Sequence, residues 1–279
     1  MARLKRNKTG AFRRCPADSL KVFQFTDTHL LADPEGRVLG LNPEQTLRAV
    51  LDHARQTGGS PDLALATGDL VHDGSDQGYQ RLHGILQGLG VPVYALPGNH
   101  DESATFGRRF LGDEIRAGKS ARYDRWQIVL LDSTIPASDA GHLGAMELET
   151  LQSCLEKHPN HYTLICLHHQ PVPIGSRWLD VMAVDNPEPF FRIVDRYPNV
   201  RGILWGHVHQ EFDRMRNQVL LMATPSTCFQ FKPHSEGFAV DLKPPGYRWL
   251  ALGRDGEILT GVDRLAELPA GLDPSSVGY

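Results

Sequence analysis

The 279-residue sequence predicts an α/β fold. Short apolar runs rich in Val, Ile, Leu and aromatics recur along the chain, and each ends abruptly in polar residues. Amphipathic, helix-like stretches separate most of these runs. Strand, helix and strand in succession imply parallel pairing, and sheets of that kind place their ligand sites beyond the carboxyl ends of the strands.

The first run, Lys21–Thr26 (KVFQFT), leads into Asp27, Thr28 and His29. A helix follows over Pro43–Gln56, because the fixed φ of proline suits a first helical turn. Leu63–Thr67 (LALAT) is apolar enough for a strand covered on both faces, and it runs into Gly68 and Asp69. A helix over Asp76–Leu89 connects to Val91–Leu96 (VPVYAL), which ends in Pro97, Gly98, Asn99, His100 and Asp101. Helices over Ala145–Lys157 and Pro187–Arg196 flank Tyr162–Leu167 (YTLICL), which runs into His168 and His169. Val200–Trp205 (VRGILW) then ends in Gly206, His207, Val208 and His209. Beyond His209, shorter β-like segments at Val219–Ala223, Tyr247–Leu252 and Glu257–Gly261 suggest a second, mainly antiparallel or mixed sheet packed on the first. With no internal repeat or long linker, one domain is expected over residues 20–279, preceded by a basic, frayed tail over 1–19.

Lys and Arg number 29 against 33 Asp and Glu, so the generally basic surface that tracks nucleic acid is absent and no nucleic-acid partner is expected. Six of the bases, Arg3, Lys5, Arg6, Lys8, Arg13 and Arg14, precede the first acid, Asp18. That tail lacks the apolar run of a signal peptide, and nothing later approaches the roughly 20 apolar residues of a membrane span. Cys15, Cys154, Cys166 and Cys228 form no C-x-x-C pair and are expected to stay reduced, which favours a cytoplasmic protein. The count that stands out is 13 His.

Asp27 and His29 lie two residues apart, as do His207 and His209, and in extended backbone such pairs point to one side. Gly68 and Gly98 let the chain turn tightly ahead of Asp69 and Asn99. Alone, each motif is an ordinary turn or cap. Agreement of five strand ends on metal-ligand chemistry is not ordinary. Imidazole, carboxylate and amide oxygen without thiolate suit Mn, Fe, Zn or Co. Asp27, His29, Asp69, Asn99, His168, His207 and His209 are too many for one ion and suit two that share a carboxylate. Two divalent ions would outweigh Asp27, Asp69 and a bridging hydroxide by about one positive charge, enough to attract a phosphate anion. They would also bring the pKa of the bridging water toward ~7, so that hydroxide can attack phosphorus in line. His100 is the candidate for stabilising charge on the phosphate oxygens or protonating the leaving 3′-oxygen, with Asp101 either orienting it or capping a helix.

D-x-H, G-D, G-N-H-D, H-H and G-H-x-H, in this order from about Val22 to His209, resemble the calcineurin-like metallophosphoesterase superfamily. FTDTHLLAD, ATGDLVHD, LPGNHD, LHHQPVPIGSRWLD, GHVHQE, ATPSTCFQFKP and the terminal Gly-Tyr narrow the resemblance to the class III cyclic nucleotide phosphodiesterases. It implies a four-layer αββα sandwich of two mixed sheets flanked by helices. It also implies one metal held by Asp27, His29, Asp69 and His209 and a second by Asp69, Asn99, His168 and His207, with Fe or Mn favoured over Zn or Co. His29, Asp69, Asn99, His100 and His209 would meet the substrate, with His100 and Asp69 catalytic. Hydrolysis of 3′,5′-cyclic AMP to 5′-AMP is the implied reaction, another phosphodiester or pyrophosphate the runner-up, and a non-catalytic scaffold a distant third. The family pattern makes His168 the ligand and leaves His169 to support it or pack its loop. Trp178 either anchors its loop or, with Arg177, reaches substrate; Phe229 and Phe231 read as core, His72 as a support near Asp69, and His53, His83, His158 and His161 as surface. No Cys is followed six positions later by Arg, and no Walker loop or G-x-S-x-G elbow is present, which argues against other phosphatase and esterase chemistries.

Overall fold

The computed structural model describes residues 15–110, 115–117 and 119–279; the bases of the expected tail, at 1–14, lie outside the described residues. The elements run β1 (Leu20–Phe25), α1 (Pro43–Gly58), β2 (Leu63–Thr67), α2 (Asp76–Gln87), β3 (Val93–Leu96), α3 (Ser103–Arg109), β4 (Ile115–Arg116), β5 (Ser120–Tyr123) and β6 (Trp126–Leu130). They continue with α4 (Ala145–Lys157), β7 (Tyr162–Cys166), α5 (Arg177–Asp180), α6 (Pro187–Val194), β8 (Val200–Trp205), β9 (Phe212–Arg216) and β10 (Val219–Ala223). The last are β11 (Gln230–Phe231), β12 (Val240–Asp241), β13 (Gly246–Leu252) and β14 (Ile258–Arg264). Local chemistry sets the helix starts: the Asn42 side chain accepts from Gln45 N at 3.0 Å ahead of Pro43, and Ser75 Oγ accepts from Gly78 N at 3.2 Å.

Among the described residues two six-stranded sheets form, in the orders β14-β13-β1-β2-β3-β4 and β5-β6-β7-β8-β10-β9, beside a small β11-β12 pair. Parallel pairing joins β1 to β2 to β3 and β6 to β7 to β8, as the strand-helix alternation requires. The partition differs from the sequence expectation in two ways. The five ligand-bearing strands do not share one sheet: β1, β2 and β3 lie in the first, β7 and β8 in the second. Nor do the late segments make a sheet of their own, since β10 lies beside β8 while β13 and β14 extend the first sheet antiparallel to β1. The cause lies between β3 and β6, where β4 still pairs with β3 but β5 pairs with β6, so the chain changes sheets without a helix to signal it.

Period-two alternation assigns each strand's two faces. Val22, Leu63, Leu65, Leu164, Cys166, Leu204, Leu250 and Leu252 meet between the sheets. Phe23, Phe25, Ala64 and Trp249 face outward onto Leu47, Val50 and Leu51 of α1 and Tyr79 and Leu82 of α2. Ile165, Ile203 and Trp205 face the other way, onto Leu151 and Leu155 of α4 and Phe190 of α6. The order is therefore helices, sheet, sheet, helices. Each such fully buried Leu, Ile or Phe contributes roughly 1.5–3 kcal/mol.

Polar groups also cross the central layer. Gln24 of β1 donates to Trp205 O of β8 at 3.2 Å and to Thr67 Oγ1 at the end of β2 at 2.8 Å. Arg248 of β13, fully buried, donates to Ala223 O at the end of β10 at 2.7 Å and ion-pairs with Asp213 at 2.9 Å. A buried guanidinium tolerates only close to one geometry, so these bonds hold the carboxyl ends of the two sheets opposite each other.

Candidate metal centre

All five expected strand ends converge at the edge where the two sheets meet. The loops after β1 and β2 are fastened together by Asp27 N to Gly68 O (2.9 Å), His29 N to Asp69 O (2.9 Å) and Leu30 N to Leu70 O (3.1 Å). From the second sheet, His207 N donates to Asp27 Oδ1 at 3.0 Å, and Ser226 Oγ to Asp27 O at 2.7 Å. Asp27, His29, Asp69, His168 and His209 are fully buried, and His207 is nearly so.

The i, i+2 pairs do converge, but not through extended backbone. Asp27, His29, Asp69, His207 and His209 all have positive φ, between 47° and 61°. Asp and His tolerate this left-handed region better than most residues, and its recurrence at five ligand positions turns successive side chains inward within very short loops. Gly68 reaches φ +90°, as a turn residue must. Gly98 has a different reason from the expected tight turn, because it needs no positive φ: a Cβ there would stand 2.3 Å from both Asp69 N and Oδ1 and 2.7 Å from His168 Nε2. Gly98→Ala is expected to displace the Asp69 carboxylate by a substantial fraction of an ångström and lower kcat/KM by on the order of 10²-fold, checked by steady-state kinetics beside a thermal melt that shows the protein still folded.

Ligand atoms of Asp27, His29, Asp69 and His209 lie within 4.8 Å of one another. His29 Nε2 is 3.2 Å from His209 Nε2, and His209 Nε2 is 3.4 Å from Asp27 Oδ1. A second set adjoins it: His168 Nε2 lies 3.2 Å from Asn99 Oδ1 and 3.3 Å from Asp69 Oδ2, and its ring centroid is 5.2 Å from that of His207. Asp69 therefore stands between the two sets. Outer bonds fix the rings, with His168 Nδ1 on Thr67 O and His209 Nδ1 on Phe229 O, both at 2.9 Å.

Electrostatically the bare cluster is under tension. Burial, reinforced by neighbouring histidines, drives His29 and His207 well below the usual imidazole value. Burial opposes charge on His168 too, yet the Asp69 and Asp27 carboxylates raise it to about 9. Asp69, despite burial, is held well below the carboxylate range by His168 and His100. Asp69 Oδ2 and both ring nitrogens of His207 find no hydrogen-bond partner among the described residues. Buried polar atoms almost always have one. Imidazole nitrogens and a carboxylate oxygen without partners, with the Asn99 amide oxygen beside them, fit a divalent first-row cation.

The remaining residues sort by contact. His100 donates its backbone N–H to Asp69 Oδ1 at 3.0 Å and stacks its half-buried ring on His72 at 4.6 Å. His72 Nδ1 lies 3.2 Å from His29 Nδ1, the support the sequence implied. His169 is buried on Ser133 Oγ at 2.9 Å, within reach of His168 and His207. Trp178 anchors its loop, donating to Ser235 Oγ at 3.1 Å, while Arg177 is 80% exposed beside Glu236. Phe229 and Phe231 are core, but they also stack on His29 and His209 at 5.2 and 4.3 Å. His53, His83, His158 and His161 are half-buried rather than surface, His53 through an ion pair with Asp263.

Asp101 neither caps a helix nor orients His100. Glu102 caps α3, and Asp101 accepts from Gly98 N (2.8 Å), Leu70 N (3.0 Å), Val71 N (3.1 Å) and Tyr79 Oη (2.7 Å), tying the Asp69 loop to the Asn99 loop. Sequence reasoning missed this role because two of the partners are backbone amides of a loop about 30 residues away and a third is the Tyr79 hydroxyl. Burial and the Asp69 charge raise its carboxyl to about 6. Asp101→Ala orphans four donors at roughly 1–3 kcal/mol each before relaxation. We expect a loss of about 3–5 kcal/mol in denaturant unfolding and metal affinity weakened about 10–100-fold in titration.

The Calcineurin-like phosphoesterase family profile matches residues 20–211. The chain belongs to this family. Among curated proteins, this calcineurin-like phosphoesterase is 38% identical over 261 residues to the 3′,5′-cyclic adenosine monophosphate phosphodiesterase CpdA of Pseudomonas aeruginosa, spanning 94% of this chain and 96% of that one. It is 40% identical over 263 residues to the protein of the same name from Vibrio vulnificus, with the same coverage. Among solved structures, a dimetal phosphatase from Danio rerio shares the fold with a TM-score of 0.61 at 16% identity, covering 87% of this chain and 99% of that one.

Proposed function

We propose that the protein hydrolyses 3′,5′-cyclic AMP to 5′-AMP at a centre of two metal ions, lowering the cyclic nucleotide in the cytoplasm. The observation that carries the reading is Asp69, a fully buried carboxylate standing between two sets of nitrogen and oxygen atoms able to bind metal. Near 40% identity over almost the whole chain to proteins named as cyclic AMP phosphodiesterases supports the substrate. Asp27, His29, Asp69 and His209 would hold one ion and Asp69, Asn99, His168 and His207 the other, with Fe or Mn favoured by the donor set. When bound, such ions supply positive charge for the phosphate and, through a shared hydroxide, a nucleophile at neutral pH. His100 would meet the phosphate and pass a proton to the leaving 3′-oxygen, a role supported by its half-buried position beside the buried centre. Cys166 and Cys228, both fully buried and outside any disulfide, suit a reducing compartment.

The test is metal analysis of purified protein, then assay of 3′,5′-cyclic AMP, 2′,3′-cyclic AMP and an aryl phosphodiester side by side with Mn or Fe present. Two equivalents of metal and preference for the 3′,5′-diester are expected. Turnover of the 2′,3′-cyclic or aryl diester alone would remove the substrate assignment, and protein that loads no metal would remove the chemistry.

A further inference from the structure

Tyr279, the last residue of the sequence, lies against the metal centre, far in the chain from every motif that builds it. Its ring centroid is 5.6 Å from His29, 5.4 Å from His100 and 5.8 Å from His72, the last nearly parallel at 27°. On its other contacts stand Phe229 at 5.0 Å, Phe231 at 5.5 Å and Phe238 at 5.9 Å. Trp178 continues this aromatic row, 4.9 Å from Phe231 and 5.3 Å from Phe238. The segment leading to Tyr279 leaves the body at Asp273, whose N–H donates to Leu39 O at 2.9 Å. Ser275 and Ser276 then hydrogen-bond within the segment, and Val277 is 92% exposed. Tyr279 as a whole residue is 39% exposed.

A cyclic nucleotide pairs an anionic phosphate with a flat, apolar base. With the phosphate at His29, Asp69 and His100, the aromatic surface nearest to hand for the base is Tyr279 and the phenylalanines behind it. We propose that Tyr279 is a substrate-contacting residue whose ring, backed by Phe231 and Phe238, receives the nucleobase, so that the site selects nucleotides over small phosphodiesters. The inference rests on the reading of the centre as a phosphodiester site.

The experiment uses the full chain loaded with Mn. Calorimetry of 5′-AMP and of methyl phosphate, which has no base, gives an affinity ratio for the wild type, Tyr279→Ala and Tyr279→Phe. Tyr279→Ala should lower that ratio about tenfold, the low end of what losing one base-on-aromatic stack costs, and raise KM for 3′,5′-cyclic AMP about tenfold with a smaller change in kcat. Tyr279→Phe should keep the ratio within about twofold of the wild type, since the ring is retained. An unchanged ratio in Tyr279→Ala, equal weakening of both ligands, or tighter 5′-AMP binding from removing an obstructing ring would each overturn the proposal. Should the wild type fail to hydrolyse 3′,5′-cyclic AMP, the proposed reaction falls, while the ratio still decides the role of Tyr279.

Discussion

Asp69→Ala is expected to abolish metal loading and turnover together. The carboxylate is fully buried between Asp27, His29 and His209 on one side and Asn99 and His168 on the other, so its loss strips a ligand from both sets at once. Metal ions contribute several kcal/mol of charge stabilisation to hydrolysis, and each 1.36 kcal/mol is tenfold in rate, so kcat/KM should fall by at least on the order of 10³. The substitution also takes away the larger of the two carboxylate influences that raise His168 despite burial. A full complement of two metals with near-normal turnover in Asp69→Ala, by elemental analysis and steady-state assay, would refute its bridging role.

His100→Ala separates catalysis from metal binding. The bond from His100 to Asp69 Oδ1 comes from the backbone N–H, so alanine keeps it and the Asp69 carboxylate stays oriented. The imidazole alone is lost, with its stack on His72. Positioned acid–base and electrostatic groups contribute typically 10²–10⁴-fold, so kcat should fall in that range while metal content stays at the wild-type level. Protein that emerged without both metals would make His100 a ligand instead.

The convergence of these residues was largely legible in the sequence, because Asp, Asn and His at the ends of apolar runs announce themselves twice, by residue type and by position. Asp27, His29, Asp69, Asn99, His168, His207 and His209 all reach one cluster. What the sequence could not carry was sheet membership. A doubly covered strand such as LALAT or YTLIC reads the same in either sheet, and the switch at β4 and β5 rests on two short, irregular segments. The role of Asp101 was hidden for a related reason, since two of its partners are backbone amides of a distant loop. The left-handed turns at Asp27 and His207 were hidden too, because neither residue is glycine.

The division of ligands between two sheets has a consequence for the order in which the protein comes into being. Asp27, His29, Asp69, Asn99 and His100 leave the ribosome early, on the first sheet, whereas His168, His207 and His209 follow only with β7 and β8. Even the first sheet is unfinished at that stage, because β13, the antiparallel neighbour of β1, and β14 beyond it follow every strand of the second sheet. A chain that has not reached β7 and β8 thus holds only the first sheet's share of the cluster, and the site is complete only once the second sheet has docked.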